Sequence, residues 1–187
     1  MRIDIHNTNK KYQIIYADPA WGDCYSTGLK NARGVCRNHY NTMTTEQIKK
    51  LPIQKISTDT SICFLWATFP AIESALEVIK SWGFRYVTIG FNWIKKNKKS
   101  DSLFWGMGQY TRANAEICLI GVSKNYKATK QIRTHKIHSV ICERIMQHSQ
   151  KPDCIRNKII ELCGDIPRIE LFARQQVDGW DCWGNEV

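Results

Sequence analysis

Apolar residues along this chain fall into short runs separated by stretches in which they recur every three or four positions. The runs at 13–17, 62–67, 86–91, 116–122 and 168–172 have strand length. Between the second and third, Ala71, Ile72, Ala75, Leu76, Val78 and Ile79 form one apolar side of a helix that Gly83 can end. Strand, helix, strand in this compass predicts a βαβ unit with a right-handed crossover. Thr44 and Gln47 have capping-box spacing and open a helix that Pro52 keeps short. A third helix is expected from Pro152, with Asp153 favourable at its positive end. Cys154, Ile155, Ile159 and Leu162 share one side of it, and Gly164 is its stop. The alternation predicts an α/β fold, with a mostly parallel sheet and helices on both faces.

Length and charge narrow this further. With 187 residues and 43% hydrophobic content, one domain over 1–187 is expected. No apolar run approaches the roughly 18 residues of a membrane span, and Met1 to Lys11 is polar where a signal peptide is apolar, so a cytoplasmic protein with no membrane contact is expected. Of the eight cysteines, Cys63, Cys118 and Cys142 lie in strand-like runs, while Cys154 and Cys163 fit the inner side of the third helix. Free buried thiols fit better than disulfides. Cys24, Cys36 and His39 would need a distant fourth ligand to make a zinc site, and no metal is expected.

The formal charge is +10, from 27 Lys and Arg against 17 Asp and Glu, which suits a polyanionic partner. The cations cluster at Lys95, Lys96, Lys98 and Lys99 and again at Lys124, Lys127, Lys130, Arg133 and Lys136. Two solvated loops are the plain alternative. Three long polar connections, 21–41, 95–114 and 124–136, are longer than compact domains usually keep without a binding role.

Tyr16-Ala17-Asp18-Pro19-Ala20-Trp21 begins in a strand and ends in a loop, which puts Asp18 near the carboxyl edge of the sheet, where open α/β folds bind ligands. Proline restricts the residue before it, so Asp18 and the following carbonyl can be held in a fixed turn. An Asp-Pro turn beside a core tryptophan is also an ordinary structural feature. Neither a Walker phosphate loop nor a GxGxxG dinucleotide motif is present.

Asp18-Pro19-Ala20-Trp21 resembles the Asp-Pro-Pro-Trp motif of the MT-A70 family of S-adenosylmethionine-dependent N6-adenine methyltransferases. Ala20 departs from it, standing where the family usually has a second proline. The resemblance continues in order through Tyr40-Asn41-Thr42-Met43, Phe64-Leu65-Trp66-Ala67-Thr68, Trp82-Gly83-Phe84, Glu116-Ile117-Cys118-Leu119-Ile120-Gly121-Val122, His148-Ser149-Gln150-Lys151-Pro152-Asp153, Arg168-Ile169-Glu170-Leu171-Phe172-Ala173-Arg174, Gly179-Trp180 and Trp183-Gly184-Asn185-Glu186. It implies a Rossmann-like methyltransferase fold with permuted motif order, because the Asp-Pro motif precedes the Phe172-Ala173-Arg174 strand end. The chain is most similar to compact prokaryotic or phage-type members, which implies a prokaryotic or phage-infected cell and DNA ahead of RNA as substrate.

What the family implies can be carried over by residue. Adenine's amino lone pair is delocalised into its ring, so the Asp18 carboxylate and the Pro19 carbonyl are expected to accept its two hydrogens, with Trp21 stacked on the base. S-adenosylmethionine is expected against Asp4, Ile5, Asp18, Lys151, Glu170, Phe172, Arg174, Asn185 and Glu186. Lys151 resembles the lysine for its carboxylate, and Asn185 and Glu186 the pair near its ribose. Phe172 as a core residue and Glu186 as an acidic tail are the ordinary readings. Nucleic acid is expected against Tyr25, Arg33, His39, Tyr40, Arg112 and Glu116, and against the two lysine-rich loops, which should flank the mouth of the site and grip phosphate. His148, beside the Lys151 motif, is expected to shape its turn, and His135 and His138 are loop residues or nucleic-acid contacts. RNA as substrate, a catalytically silent nucleic-acid-binding partner subunit and a small-molecule methyltransferase are the alternatives, and a homodimer or a related partner subunit is left open.

Overall fold

A computed structural model of the chain describes residues 1–22, 42–108, 110–147 and 149–187. Among the described residues seven strands form one sheet. They are β1 (Tyr12–Ala17), β2 (Ser57–Ala67), β3 (Arg85–Lys96), β4 (Ala115–Val122), β5 (Val140–Arg144), β6 (Arg168–Leu171) and β7 (Asp181–Trp183), in spatial order β5-β3-β4-β2-β1-β6-β7. Neighbours pair in parallel except at β4, which runs antiparallel to both β2 and β3. The expected mostly parallel sheet is present. The expected unit of β2, helix and β3 is present too, but β4 is wedged between its two strands.

Helices cover both faces: α1 (Thr45–Lys49), α2 (Ile53–Ile56) and α3 (Ile72–Ser81) on one, α5 (Cys154–Cys163) on the other, with a short α4 (Ala128–Gln131) at an end. Ile48, Ile53, Ala75 and Val78 pack with Ile15, Ala17, Cys63 and Leu65 on the first face. Ile155, Ile159 and Cys163 pack with Ile14, Tyr16, Phe64 and Trp66 on the second. Strand β1 is therefore buried on both sides from Ile14 to Ala17, which is why that stretch is continuously apolar rather than alternating. No helix among the described residues is long and apolar enough to cross a membrane.

Local signals set the helix ends. Thr44 accepts from the Gln47 backbone at 3.2 Å while the Gln47 side chain accepts from the Thr44 backbone at 2.9 Å, so the capping box is formed. Gly83 takes φ +83° after α3, and the Phe84 N–H returns to the Ile79 carbonyl at 3.0 Å. Gly164 closes α5 with φ +92°. Helix α5 itself begins at Cys154, two residues past the expected Pro152. The six described cysteines are free, and Cys63, Cys118, Cys163 and Cys182 are buried, whereas Cys142 is exposed.

The direction of β4 sorts its two connections to opposite edges of the sheet. Its start pairs with the end of β2 (Ile117 with Ala67), and its end pairs with an earlier part of β2 (Val122 with Ile62). The connection 97–114 therefore lies at the carboxyl edge, beside the end of β1. The segment after Val122 leaves from the amino edge, where the N–H groups of Ser123 and Asn125 donate to the Ser61 and Asp59 carbonyls at 2.9 and 3.1 Å.

Helix α5 is tied to β6 by charge as well as packing. Arg156 donates to both Glu170 oxygens, at 2.7 and 2.9 Å, with side chains only 13% and 10% exposed. Removing one partner of such a pair strands a buried charge. Arg156→Met should lower stability by about 3 kcal/mol, measured by urea unfolding; a change under roughly 0.5 kcal/mol, the size expected of an ordinary surface site, would show the pair to be incidental.

Candidate functional site

Strand β1 sits between β2 and β6, and the connections around it go to opposite faces: α1 to α3 follow it on one side, and α5 precedes β6 on the other. In an open α/β sheet such a switch point leaves a crevice at the carboxyl ends of the strands. Here a cleft is lined by Tyr16, Asp18, Gln147, Gln150, Lys151, Arg156, Glu170, Phe172, Arg174, Gln175 and Glu186. Tyr16 and Asp18, two apart on an extended chain, face the same way. Tyr16 is fixed below Asp18 by the Trp66 indole N–H, which donates to its hydroxyl at 2.9 Å.

The centre of the site is an alternating row of charges. The Lys151 ammonium contacts both oxygens of Asp18, at 2.8 and 2.9 Å, and one of Glu116 at 3.1 Å. The other Glu116 oxygen takes Lys95 at 2.5 Å. Lys151 also donates to the Ser149 carbonyl at 3.2 Å and lies 5.6 Å from the centre of the Trp66 ring. Ser149 itself has φ +57°, the left-handed region, which turns the chain so that Lys151 points inward.

Burial is the largest influence on all three inner groups. On Asp18 it prevails over the pull of Lys151 and leaves the carboxyl above its ordinary range. On Glu116 burial is outweighed by Lys151 and Lys95 together, and the carboxyl sits below its ordinary value. On Lys151 burial works against the charge, but Asp18 and Glu116 overcome it and raise the pKa, so the ammonium is retained.

The opposite wall is a backbone feature. Phe172 leaves β6 with φ +60°, one residue earlier than the expected strand end. Its ring meets Trp183 edge-on at 5.4 Å. The Ala173 N–H donates to the Trp183 carbonyl at 2.9 Å, and a Cβ at Gly184 would lie 2.3 Å from the Ala173 oxygen. Glycine is thus required for the terminal segment to cross the Phe172 turn, and this brings the Glu186 carboxylate to Arg174 at 3.2 Å.

This assembles Asp18, Lys151, Glu170, Phe172, Arg174 and Glu186, with Glu116 behind them and exposed Asn185 adjoining Glu186. Tyr25, Arg33, His39, Tyr40 and His148 lie outside the described residues, as do Cys24 and Cys36. Other expectations are corrected. Asp4 and Ile5 do not line the cleft: the Asp4 carboxylate accepts from His6 and Asn7 in its own turn, and Ile5 is fully buried in the core. Lys95 is paired with Glu116 and Lys96 with Asp101 at 3.5 Å, so neither is a free phosphate contact, whereas Lys98 and Lys99 are exposed at this edge. Lys124, Lys127, Lys130, Arg133 and Lys136 do not flank the site, because antiparallel β4 sends their segment from the other edge.

Trp21 is corrected as well. Its ring is 5% exposed and packed in the core with Ile15, Ala17 and Ala67; its N–H donates to the Trp66 carbonyl at 3.3 Å. Gly22 N–H and Met43 carbonyl, and Met43 N–H and Ala20 carbonyl, lock the turn at 2.9 and 3.1 Å. The indole anchors the Asp18 turn, and its faces are not open to a base. The Pro19 carbonyl accepts the Trp21 N–H at 3.1 Å, which leaves its second lone pair. Sequence reasoning missed the exposed rings on the 97–114 connection, Trp105 at 71% and Tyr110 at 93%, with the Arg112 guanidinium 4.5 Å from the Trp105 ring.

The residues fit S-adenosylmethionine: one wall offers an ammonium to a carboxylate, the other an aromatic ring and a carboxylate that can accept ribose hydroxyls. The MT-A70 family profile matches residues 12–186. The chain belongs to the MT-A70 family. Members of that family use S-adenosylmethionine as methyl donor. This MT-A70 chain is 29% identical to the Type II methyltransferase M.MunI of a Mycoplasma species over 95% of its own length and 78% of that protein's. It is 28% identical to an N(6)-adenosine-methyltransferase MT-A70-like protein of Arabidopsis thaliana, over all of its length and 25% of that protein's. It is 28% identical to the human N(6)-adenosine-methyltransferase catalytic subunit METTL3, over 95% of its length and 28% of that protein's. The chain thus spans about a quarter of the plant and animal relatives. They overturn the expected preference for DNA, since most are named for adenosine, a ribonucleoside, and their spread over plants and animals does not single out prokaryotic or phage-type members.

Two measurements check the site. Glu116, held below its ordinary value of 4.5, contributes stability that is present above that value and lost as pH falls through the lower folded value. Asp18, raised, acts with the opposite sign, its contribution being lost as pH rises through its folded value. The melting-temperature gap between wild type and Glu116→Gln should stay level above pH 4.5 and narrow below it; a gap that widens on acidification would contradict this ionic assignment. Trp21→Ala should cost about 3–5 kcal/mol of stability, as core tryptophans do. Trp105→Ala should leave stability within about 0.5 kcal/mol. Equal losses in both would return Trp21 to the surface.

Proposed function

We propose that the chain transfers the methyl group of S-adenosylmethionine to the N6 amine of adenosine in RNA. The observation that carries this reading is the Asp18 carboxylate, a quarter exposed, held at the cleft mouth by Lys151 with the Phe172 to Glu186 wall opposite. The names of the plant and animal relatives support RNA. Lys151 would hold the carboxylate of the cofactor, Phe172 would pack against it, and Glu186 would accept its ribose hydroxyls. Bound there, S-adenosylmethionine supplies an electrophilic methyl group.

The work of the protein's own groups is positioning. Asp18 and the free lone pair of the Pro19 carbonyl accept the two amine hydrogens, which localises the nitrogen lone pair and favours the positive nitrogen of the transition state. Asp18 can do so once Lys151 releases one of its oxygens, and Glu116, already 3.1 Å away, takes up the ammonium. After transfer the nitrogen sheds one proton, to Asp18 or to water. Trp105 and Tyr110, at the same edge, offer stacking faces for neighbouring bases.

The test is nucleoside mass analysis after incubation with matched RNA and DNA pools. N6-methyladenosine should form in RNA, and Asp18→Ala should slow it by at least about 100-fold, the scale of losing one preorganised polar contact. Calorimetry should still show cofactor binding to that variant. Methylation confined to DNA, or an unimpaired Asp18→Ala, would overturn the proposal.

A further inference from the structure

The lysine-rich segment after β4 has no part in the cleft, and its placement points to a second contact surface. At the carboxyl edge many cations are already spent: Lys95 and Lys151 on Glu116 and Asp18, Lys96 and Arg144 on Asp101, Arg174 on Glu186. At the amino edge Lys80, Arg85 and Lys124 are exposed around one depression floored by Gly83, Phe84 and Val122. Lys127, which precedes α4, and Lys130, within it, continue from it. Arg133 follows, its N–H bound to the Leu162 carbonyl at the end of α5 at 2.8 Å. The six cations form a band from the α3 face across the sheet edge to the α5 face. Among the described residues none of the six side chains has an ion pair, although Asp59 lies beside the band through its backbone.

We infer that this band is a nucleic-acid contact surface which holds the phosphate backbone of the RNA flanking the target adenosine. The inference rests on the proposed RNA substrate and extends it. Charge complementarity selects the partner: a band of unpaired cations suits a regularly charged polymer, and a polynucleotide carries one charge about every 3.4 Å of a helical strand. Strand β1, six residues long, separates the edges by roughly 20 Å at about 3.3 Å per residue, so a flank of several nucleotides can reach from one edge to the other. Contacts of this kind position the polymer and read no sequence.

The experiment uses the full chain with Lys124→Gln, Lys127→Gln and Lys130→Gln combined, three exposed changes outside the cleft. Two labelled single-stranded RNAs carry the same central adenosine, one of about 6 and one of about 30 nucleotides, matching one site and a long flank. Fluorescence anisotropy across a salt series should show the long RNA bound about 10-fold more weakly by the variant, with the slope of log affinity against log salt reduced by about 2, from three contacts at roughly 0.7 each. Affinity for the short RNA and for S-adenosylmethionine should be unchanged. Unchanged affinity and slope for the long RNA would overturn the inference, and so would equal losses on both RNAs, which would return the lysines to the cleft mouth. Binding is read without methyl transfer: a wild type that methylates no RNA but shows the long-RNA loss would fail the proposed activity alone.

Discussion

A buried ammonium survives only where carboxylates replace its lost water, and Lys151 has two. Its side chain is 10% exposed, and its position between Asp18 and Glu116 joins three separate pieces of chain: the end of β1, the start of β4 and the turn that leads to α5. Desolvation costs several kcal/mol for each ion, and here the two most buried charges, Lys151 and Glu116, each have two partners of opposite sign. Lys95 supplies Glu116 with a second cation, and the row ends there. In the proposed reaction the same row would make Asp18 usable, since it fixes the carboxylate in place while Glu116 gives its lysine a second partner.

That row depends on the one strand that runs the wrong way. Had β4 been parallel to its neighbours, Glu116 would begin at the amino edge, a full strand away from Asp18. Antiparallel pairing of Trp66 with Cys118 and Ala67 with Ile117 puts Glu116 at the level of the Asp18 turn. The same reversal sends the lysine-rich segment after Val122 away from the cleft. One topological choice therefore builds the acidic support of the site and removes a basic cluster from its rim.

What was legible in the sequence divides along this line. Local chemistry was readable: the Thr44 and Gln47 capping box, the Gly83 and Gly164 stops, and the apolar stretch 14–17 all follow from neighbours a few residues apart. So did the family motifs that place Asp18, Lys151 and Phe172 at strand ends and turns. Strand β5, with Glu143 and Arg144 in its five residues, and the three-residue β7 carry too little pattern to stand out. Pairings across the sheet were not readable, because nothing local encodes the direction of β4 or the meeting of Lys95 with Glu116, 21 residues apart. Trp21 misled for a related reason: the motif fixes the residue type, while the side of the sheet on which the ring falls is decided by the Met43 segment that locks the turn.

Net charge, read as a single number, hides the distribution that matters. A formal +10 implies an evenly attractive surface for a polyanion, yet much of the positive charge near the cleft is neutralised by carboxylates within the fold. A row already balanced by internal partners exerts little long-range field, and what it exerts is screened within about 10 Å at 0.1 M salt. The unpaired cations of the amino edge keep theirs. On the proposed reading, encounter with a polymer is governed at one edge of the sheet and orientation of the reacting amine at the other, so the two functions would respond to salt and to substitution separately.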